Sequence, residues 1–246
     1  MKKSYSYFFY SLFLGVLSYL SVWILLFILS NNHAIPSPTV TIIKMWEIRE
    51  LLGLHMLASS LRIIIALLLA IITGVPLGIL LSMFPRSDHL LSPLLYFLYP
   101  LPKVAFLPVF MLFWGLGNFS KILLLFSIIV LQVIILVRDG AKMIPENYQR
   151  IMVNFQASIW QQIRYLILPA IFPNILASLR VSIGIALASL FFAENYATDY
   201  GLGYLILSAW TKMDYPEMFA GIFCIALLGF FFFRAIDALE RFSYKE

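Results

Sequence analysis

Six long apolar runs, at roughly residues 8–30, 59–83, 91–114, 122–137, 175–192 and 219–233, leave this chain few ways to fold. Their lengths are near the roughly 20 residues that a helix needs to cross the hydrocarbon core of a bilayer. No water is available there, so each run must satisfy its own backbone donors and acceptors, and only a helix does that within one segment. Of 246 residues, 62% are hydrophobic and 12% charged, which is more apolar surface than a soluble domain can cover. The expectation is an all-α integral membrane protein with six transmembrane helices. Lys2 and Lys3 precede an apolar run too long for a signal peptide, so the first run is expected to be a retained anchor.

Six crossings put both termini on one side. That side holds ten basic residues: Lys2, Lys3, Arg86, Arg138, Lys142, Arg150, Arg164, Arg234, Arg241 and Lys245. The other holds four: Lys44, Arg49, Lys121 and Lys212. The positive-inside bias therefore predicts cytoplasmic termini. Residues 1–55 read as an anchor span with an external loop, and residues 56–246 as a transmembrane domain. Within the domain, Pro85 to Asp88 read as a tight turn, 115–121 and 194–216 as external segments, and 234–246 as a short amphipathic tail helix. Arg62, at the outer end of the second run, is placed to snorkel to the headgroups.

The third run contains Pro93, Pro100, Pro102 and Pro108, which cannot sit in a straight lipid-facing helix. Broken backbone at membrane depth belongs against protein or a water-filled path. Pro100, Pro102, Lys103 and Pro108 are therefore pathway candidates, with Glu194 the nearest acid by depth. A lysine here either makes a structural contact, with Glu194 or with carbonyls freed by the prolines, or lines the pathway and favours an anionic or electron-rich cargo.

Several functions are disfavoured. The net charge of +5 is spread through loops without a basic patch interleaved with aromatics, so nucleic acid is not expected as a partner. His33, His55 and His89 have no metal spacing and read as interfacial residues. The single cysteine, Cys224, excludes an intramolecular disulfide. No phosphate-binding G-x-x-x-x-G-K-[ST] loop is present, so any ATP dependence needs another chain. Neither catalytic nor cofactor-binding residues are expected.

Residues 138–173 form the longest polar interval between two apolar runs. Ile151, Phe155, Ile159 and Ile163 recur every four residues, which predicts one apolar stripe on a helix. Pro145 suits the first turn of that helix. Such a helix on the basic side is either a docking surface or lies on the lipid interface.

This interval resembles the cytoplasmic coupling loop of bacterial ABC-importer permeases, E-A-A-x3-G-x9-I-x-L-P. Arg150-Ile151-Met152 stands at E-A-A, Gln156 at the glycine, Leu166 at the isoleucine and Leu168-Pro169 at the end. Pro100-Leu-Pro102-Lys-Val-Ala105-Phe-Leu-Pro108 and Trp114-Gly115-Leu-Gly117-Asn-Phe-Ser120-Lys121-Ile122 resemble stretches of permeases for nitrate, sulfonates, taurine, bicarbonate and thiamine precursors. Ser178-Leu179-Arg180, Ala193-Glu194 and Gly201-Leu202-Gly203-Tyr204 continue the match in register.

The resemblance implies a type I ABC-importer fold and a permease subunit in the bacterial inner membrane. Two permease copies would form the pathway, as a homodimer. Two cytoplasmic ATP-binding subunits would hold the ATP and magnesium, and an extracytoplasmic binding protein would deliver a small solute. Arg150, Ile151, Met152, Phe155, Gln156, Ala157, Ser158 and Ile159 would form the ATPase-docking segment. Arg150 replaces an acid there. Gln156 replaces glycine, at roughly 1 kcal/mol if the turn needs a positive φ. The competing reading is a passive channel or secondary transporter, which would need no ATPase.

Overall fold

Prolines and caps, rather than the apolar residues, set the helix ends. The computed structural model describes residues 2–30 and 34–243. The initial methionine, residues 31–33 at the expected start of the external loop, and residues 244–246 of the tail lie outside the described residues. The helices are α1 (Lys2–Ser30), α2 (Pro38–Glu47), α3 (Arg49–Met83), α4 (Pro85–Leu98), α5 (Leu107–Trp114), α6 (Asn118–Lys142), α7 (Glu146–Asn154), α8 (Ile159–Gln162), α9 (Leu168–Glu194), α10 (Leu202–Thr211) and α11 (Tyr215–Ser243).

Among the described residues, four stretches are long and apolar enough to cross a bilayer: Arg49–Met83, Asn118–Lys142, Ile159–Glu194 and Tyr215–Arg241. Pro85–Leu98 and Lys103–Trp114 are apolar enough only as a pair and are bent by 87°, the form of a broken span or a re-entrant loop. Helix α1 adds a shorter apolar stretch, Phe13–Leu29, so the apolar helices are roughly consistent with the six expected runs.

Several boundaries differ from the sequence expectation. Pro85 to Asp88 is not a turn. Pro85 occupies the first turn of α4, where its missing N–H costs nothing, and the chain breaks at Phe84. The external segment 194–216 contains a helix, α10. Arg138 and Lys142 end α6 rather than opening a loop, and the tail continues α11 to Ser243 instead of forming a separate helix.

The chain divides into two compact units, one of residues 1–61 and 190–235, the other of residues 62–189 and 236–246. In the first, Trp23 donates its indole N–H to the carbonyl of buried Pro36 at 3.0 Å. It also stacks on Phe219 with ring centres 5.1 Å apart, which fixes α1 against α11. Lys44 of α2 pairs with Asp214, just before α11, at 2.7 Å. The hydrogen bond from Lys44 is the main reason that its own pKa is raised. Burial pushes the Asp214 carboxyl up, but bonds from Lys44 and the Glu217 amide outweigh this and leave it below its ordinary value.

In the second unit, Gly74 and Gly78 let α3 approach α6 closely. A Cβ at Gly78 would lie 2.7 Å from the Val137 side chain, and one at Gly74 3.0 Å from Val133. This small-xxx-small spacing brings helix backbones together where no hydrophobic effect operates between lipid-exposed surfaces. Arg62 does not snorkel. It is buried and gives Nε and Nη2 to Asn118 Oδ1, at 3.0 and 2.7 Å. Arg180 of α9 bridges Asp237 and Glu240 of α11, at 2.8 and 2.9 Å.

Candidate functional site

The proposed docking segment begins on a braced helix end. Arg138 is 3% exposed and gives its guanidinium to Asp139 at 2.8 Å, Ser92 at 2.7 Å and the Tyr96 hydroxyl at 2.8 Å. Lys142 pairs with Asp88. A buried guanidinium is tolerable because oxygens surround it; these bonds also tie the end of α6 to α4.

The single stripe expected over Ile151 to Ile163 is divided. Pro145 stands at the N-cap, just before α7, rather than inside its first turn, and α7 stops at Asn154. Gln156 then takes φ 53°, Gln156 N bonds to Val153 O and Ala157 N to Met152 O, both at 2.9 Å. This pair of bonds is the Schellman termination, whose left-handed position usually holds glycine. The glycine of the resembling pattern falls on this residue, and Gln156 occupies it at a conformational cost. Ser158 starts the next helix with a capping box: its hydroxyl accepts from Gln161 N, and the Gln161 amide oxygen accepts from Ser158 N at 2.7 Å.

The segment is therefore a helix–turn–helix with apolar side chains held in the open. Phe155, at the turn, is 82% exposed; Ile151, Val153, Ile159 and Trp160 are exposed, and Met152 and Ala157 are half-buried beneath them. Arg150 is exposed and pairs with Glu146 one turn earlier at 2.8 Å. Beyond the turn, Ile163–Ile167 is a π-helical stretch ahead of Pro169. Proline offers no N–H and crowds the carbonyl four residues before it; a wider turn accommodates both while the helix runs on to Glu194.

The bend between Leu98 and Lys103 is built as its prolines require. After α4, Pro102 caps a 3-10 turn, Lys103–Phe106, and Pro108 lies in the first turn of α5. Of the contacts open to it, Lys103 makes the one with carbonyls, giving its ammonium to Leu98 O at 2.6 Å and to Tyr99 O. Both carbonyls lie at the helix break, where Leu98 O also accepts from the Leu101 amide at 3.3 Å. Tyr99 in turn gives its hydroxyl to Gln132 of α6 at 2.7 Å.

Ser120 and Lys121, expected in an external turn, are buried. Ser120 bonds to the Phe110 carbonyl at 3.1 Å and Lys121 to the Leu116 carbonyl at 3.0 Å, so this motif caps the end of α5.

Glu194 belongs to a separate cluster. Three successive amides at the start of α10 are each taken by a side chain: Gly201 N by His55 Nδ1 at 2.8 Å, Leu202 N by Ser59 Oγ at 2.9 Å, and Gly203 N by Glu194 Oε2 at 2.8 Å. Ser59 also donates to Glu194 at 2.8 Å. His55 and Ser59 are one turn apart on α3, and His55, Ser59 and Glu194 are buried. His55 is thus packed inside the protein, and accepting at Nδ1 leaves the proton of the neutral ring on Nε2. A carboxylate at a helix N-terminus also meets the positive end of its dipole. Gly201 has φ 154°, and a Cβ there would lie 2.4 Å from the Glu194 carboxyl carbon. Sequence reasoning singled out Glu194 and the Gly201-Leu202-Gly203 motif, but not Ser59 or His55 as their partners.

Residues 67–243 match the family described as "Binding-protein-dependent transport system inner membrane component". The chain is 33% identical to the taurine transport system permease protein of Escherichia coli (strain K12), over 76% of this chain and 68% of that protein. It is 29% identical to the formylaminopyrimidine transport permease protein of Halalkalibacterium halodurans, over 87% and 86%. It is 25% identical to the nitrate import permease protein of Synechococcus elongatus, over 91% and 85%. A chain of the MetNI methionine ABC transporter in an inward-facing conformation superposes with a TM-score of 0.70 at 14% identity, covering 80% of this chain and 98% of that one.

Proposed function

The chain belongs to the family of inner membrane components of binding-protein-dependent transport systems, and from that premise we propose which of its parts carry the transport cycle. As a member it is a multi-pass permease subunit of an ATP-driven importer of small solutes. ATP hydrolysis belongs to a separate ATPase, and an extracytoplasmic binding protein supplies the solute.

The exposed turn around Gln156 is the docking site for that ATPase, on the cytoplasmic side with both termini. Its support is Phe155, an aromatic side chain presented at 82% exposure on a turn whose backbone is internally satisfied. Arg150, Ile151, Met152, Ala157, Ser158 and Ile159 form the rest of the contact, and Glu146 supplies an acid one turn before the acid position of the resembling loops. Nucleotide and magnesium are held in the partner ATPase.

Two copies of this chain form the pathway and engage two ATPase subunits. The bend from Pro100 to Pro108 faces that pathway, and Lys103 braces the bend by capping its carbonyls. Glu194 fixes the extracytoplasmic helix α10. The cargo is a small polar solute, in the class of the taurine, nitrate and formylaminopyrimidine named for the relatives.

Phe155→Ala tests the docking assignment. Aromatic side chains bury about 150–250 Å² at interfaces, and losing about 100 Å² of that at ~25 cal/mol/Å² weakens ATPase binding by about 2.5 kcal/mol, or about 60-fold. The permease should melt as before, while solute-stimulated ATP hydrolysis in reconstituted complexes falls. Unchanged ATPase affinity would sink the assignment. The mass of the intact complex checks the two-copy stoichiometry.

A further inference from the structure

Within the first unit lies a cavity of about 500 Å³ whose walls come from α1, α2, the start of α3 and α11. Its lining is almost wholly apolar, and includes Leu20, Trp23, Met45, Leu52 and Phe223. Three of its four walls, α1, α2 and the first turns of α3, precede residue 67, where the family match begins.

Two features show what it can hold. The first is α2, a short amphipathic helix that leaves Val40, Ile42, Ile43 and Trp46 exposed. A helix of this kind in a membrane protein lies in the interfacial layer with apolar side chains toward the acyl region. The second is Arg49, which also lines the cavity. Its guanidinium lies 5.0 Å from the centre of the Trp46 ring and donates to the Trp46 carbonyl at 3.1 Å, and it makes no ion pair among the described residues. An exposed cation beside an apolar cavity in a membrane-embedded wall complements a molecule with an anionic head and a hydrocarbon tail. Tryptophan and arginine at a span end are also the side chains that sit at the headgroup level.

We propose that this cavity is a binding site for one membrane phospholipid, with an acyl chain inside it and the phosphate on Arg49. The lipid would pack α1 and α2 onto the rest of the unit as an integral part of the permease. The site is independent of the docking and cargo assignments.

Gly53 gives the test its handle. It lines the cavity, and a Cβ added there meets nothing within 4 Å. In the helix α3 a larger residue projects into empty space, and replacing glycine favours the helix. The assay is native mass spectrometry of the complete transporter, stripped of lipid and titrated with dioleoylphosphatidylglycerol. The wild type should retain one lipid per permease chain; Gly53→Leu should lose it while melting no lower than the wild type in delipidated form, and Arg49→Gln should weaken it. Gly53→Ala, a smaller intrusion, should be intermediate. No retained lipid in the wild type, or equal retention by Gly53→Leu, would overturn the site. Palmitate retained as well as the phospholipid, with no effect of Arg49→Gln, would overturn the assignment of the phosphate to Arg49.

Discussion

Gly201→Ala should be among the most damaging single-methyl additions in this chain. Gly201 has φ 154° and ψ 153°. That region is open almost only to glycine, and forcing another residue into it costs of order 1–3 kcal/mol. The new Cβ would also sit 2.4–2.6 Å from the carboxyl atoms of Glu194. The carboxylate cannot yield without loosening its bonds to Ser59 and to the Gly203 amide, both at 2.8 Å. A hydrogen bond to a charged group contributes about 1.5–3 kcal/mol, so strain and one lost bond together reach about 4 kcal/mol. At about 2–4 °C per kcal/mol for a chain of 150–250 residues, the melting temperature should fall by about 10 °C. Cys224 makes the assay simple, since it is the single cysteine and is 2% exposed, so a thiol-reactive dye reports its unmasking on heating. Gly15→Ala is the control, because nothing lies within 4 Å of a Cβ there. A shift no larger than the control's would refute the reasoning that Glu194 and Gly201 are locked against each other.

Lys103→Met should lower the melting temperature, because the Tyr99 carbonyl at the bend loses its donor, at roughly 1 kcal/mol, while Leu98 O keeps only the amide of Leu101. Uptake per folded complex should change little, and a normal melt with lost uptake would instead make the ammonium part of the cargo path. The Lys44–Asp214 pair should make stability depend on pH only at the extremes. The Asp214 pKa is lowered, so its contribution is complete above the ordinary value of 3.8 and fades as pH falls through the depressed one. The Lys44 pKa is raised, so its contribution is complete below the ordinary 10.5 and is lost as pH rises through the raised value. The melting difference between wild type and Lys44→Met, followed by calorimetry, should be flat between these limits; a change near neutral pH would contradict the assignment.

The apolar runs made the crossings legible, and the four prolines made the bend legible, because lipid leaves backbone no third choice. The coupling segment was only half legible. Ile151, Phe155 and Ile159 keep helical spacing across a turn that periodicity does not register. The Ser158-x-x-Gln161 capping box does mark a helix start there, and the glycine of the resembling pattern points to the left-handed residue before it. The buried polar residues were the least legible. Arg62 finds Asn118 some 56 residues away in sequence, and Lys121 is satisfied by backbone carbonyls, which carry no sequence signal. The partner of His55 was hidden because it is the amide of Gly201, 146 residues on.

The central claim is that the exposed turn at Phe155 meets the ATPase on the cytoplasmic side. The most direct measurement places a photo-cross-linking amino acid at position 155 and irradiates the intact transporter in native membranes. The expected result is a covalent adduct between this chain and the ATPase subunit, reduced when the ATPase is titrated away with soluble coupling-loop peptide. An adduct with lipid alone, or with the extracytoplasmic binding protein, would contradict both the docking role and the cytoplasmic placement of the turn.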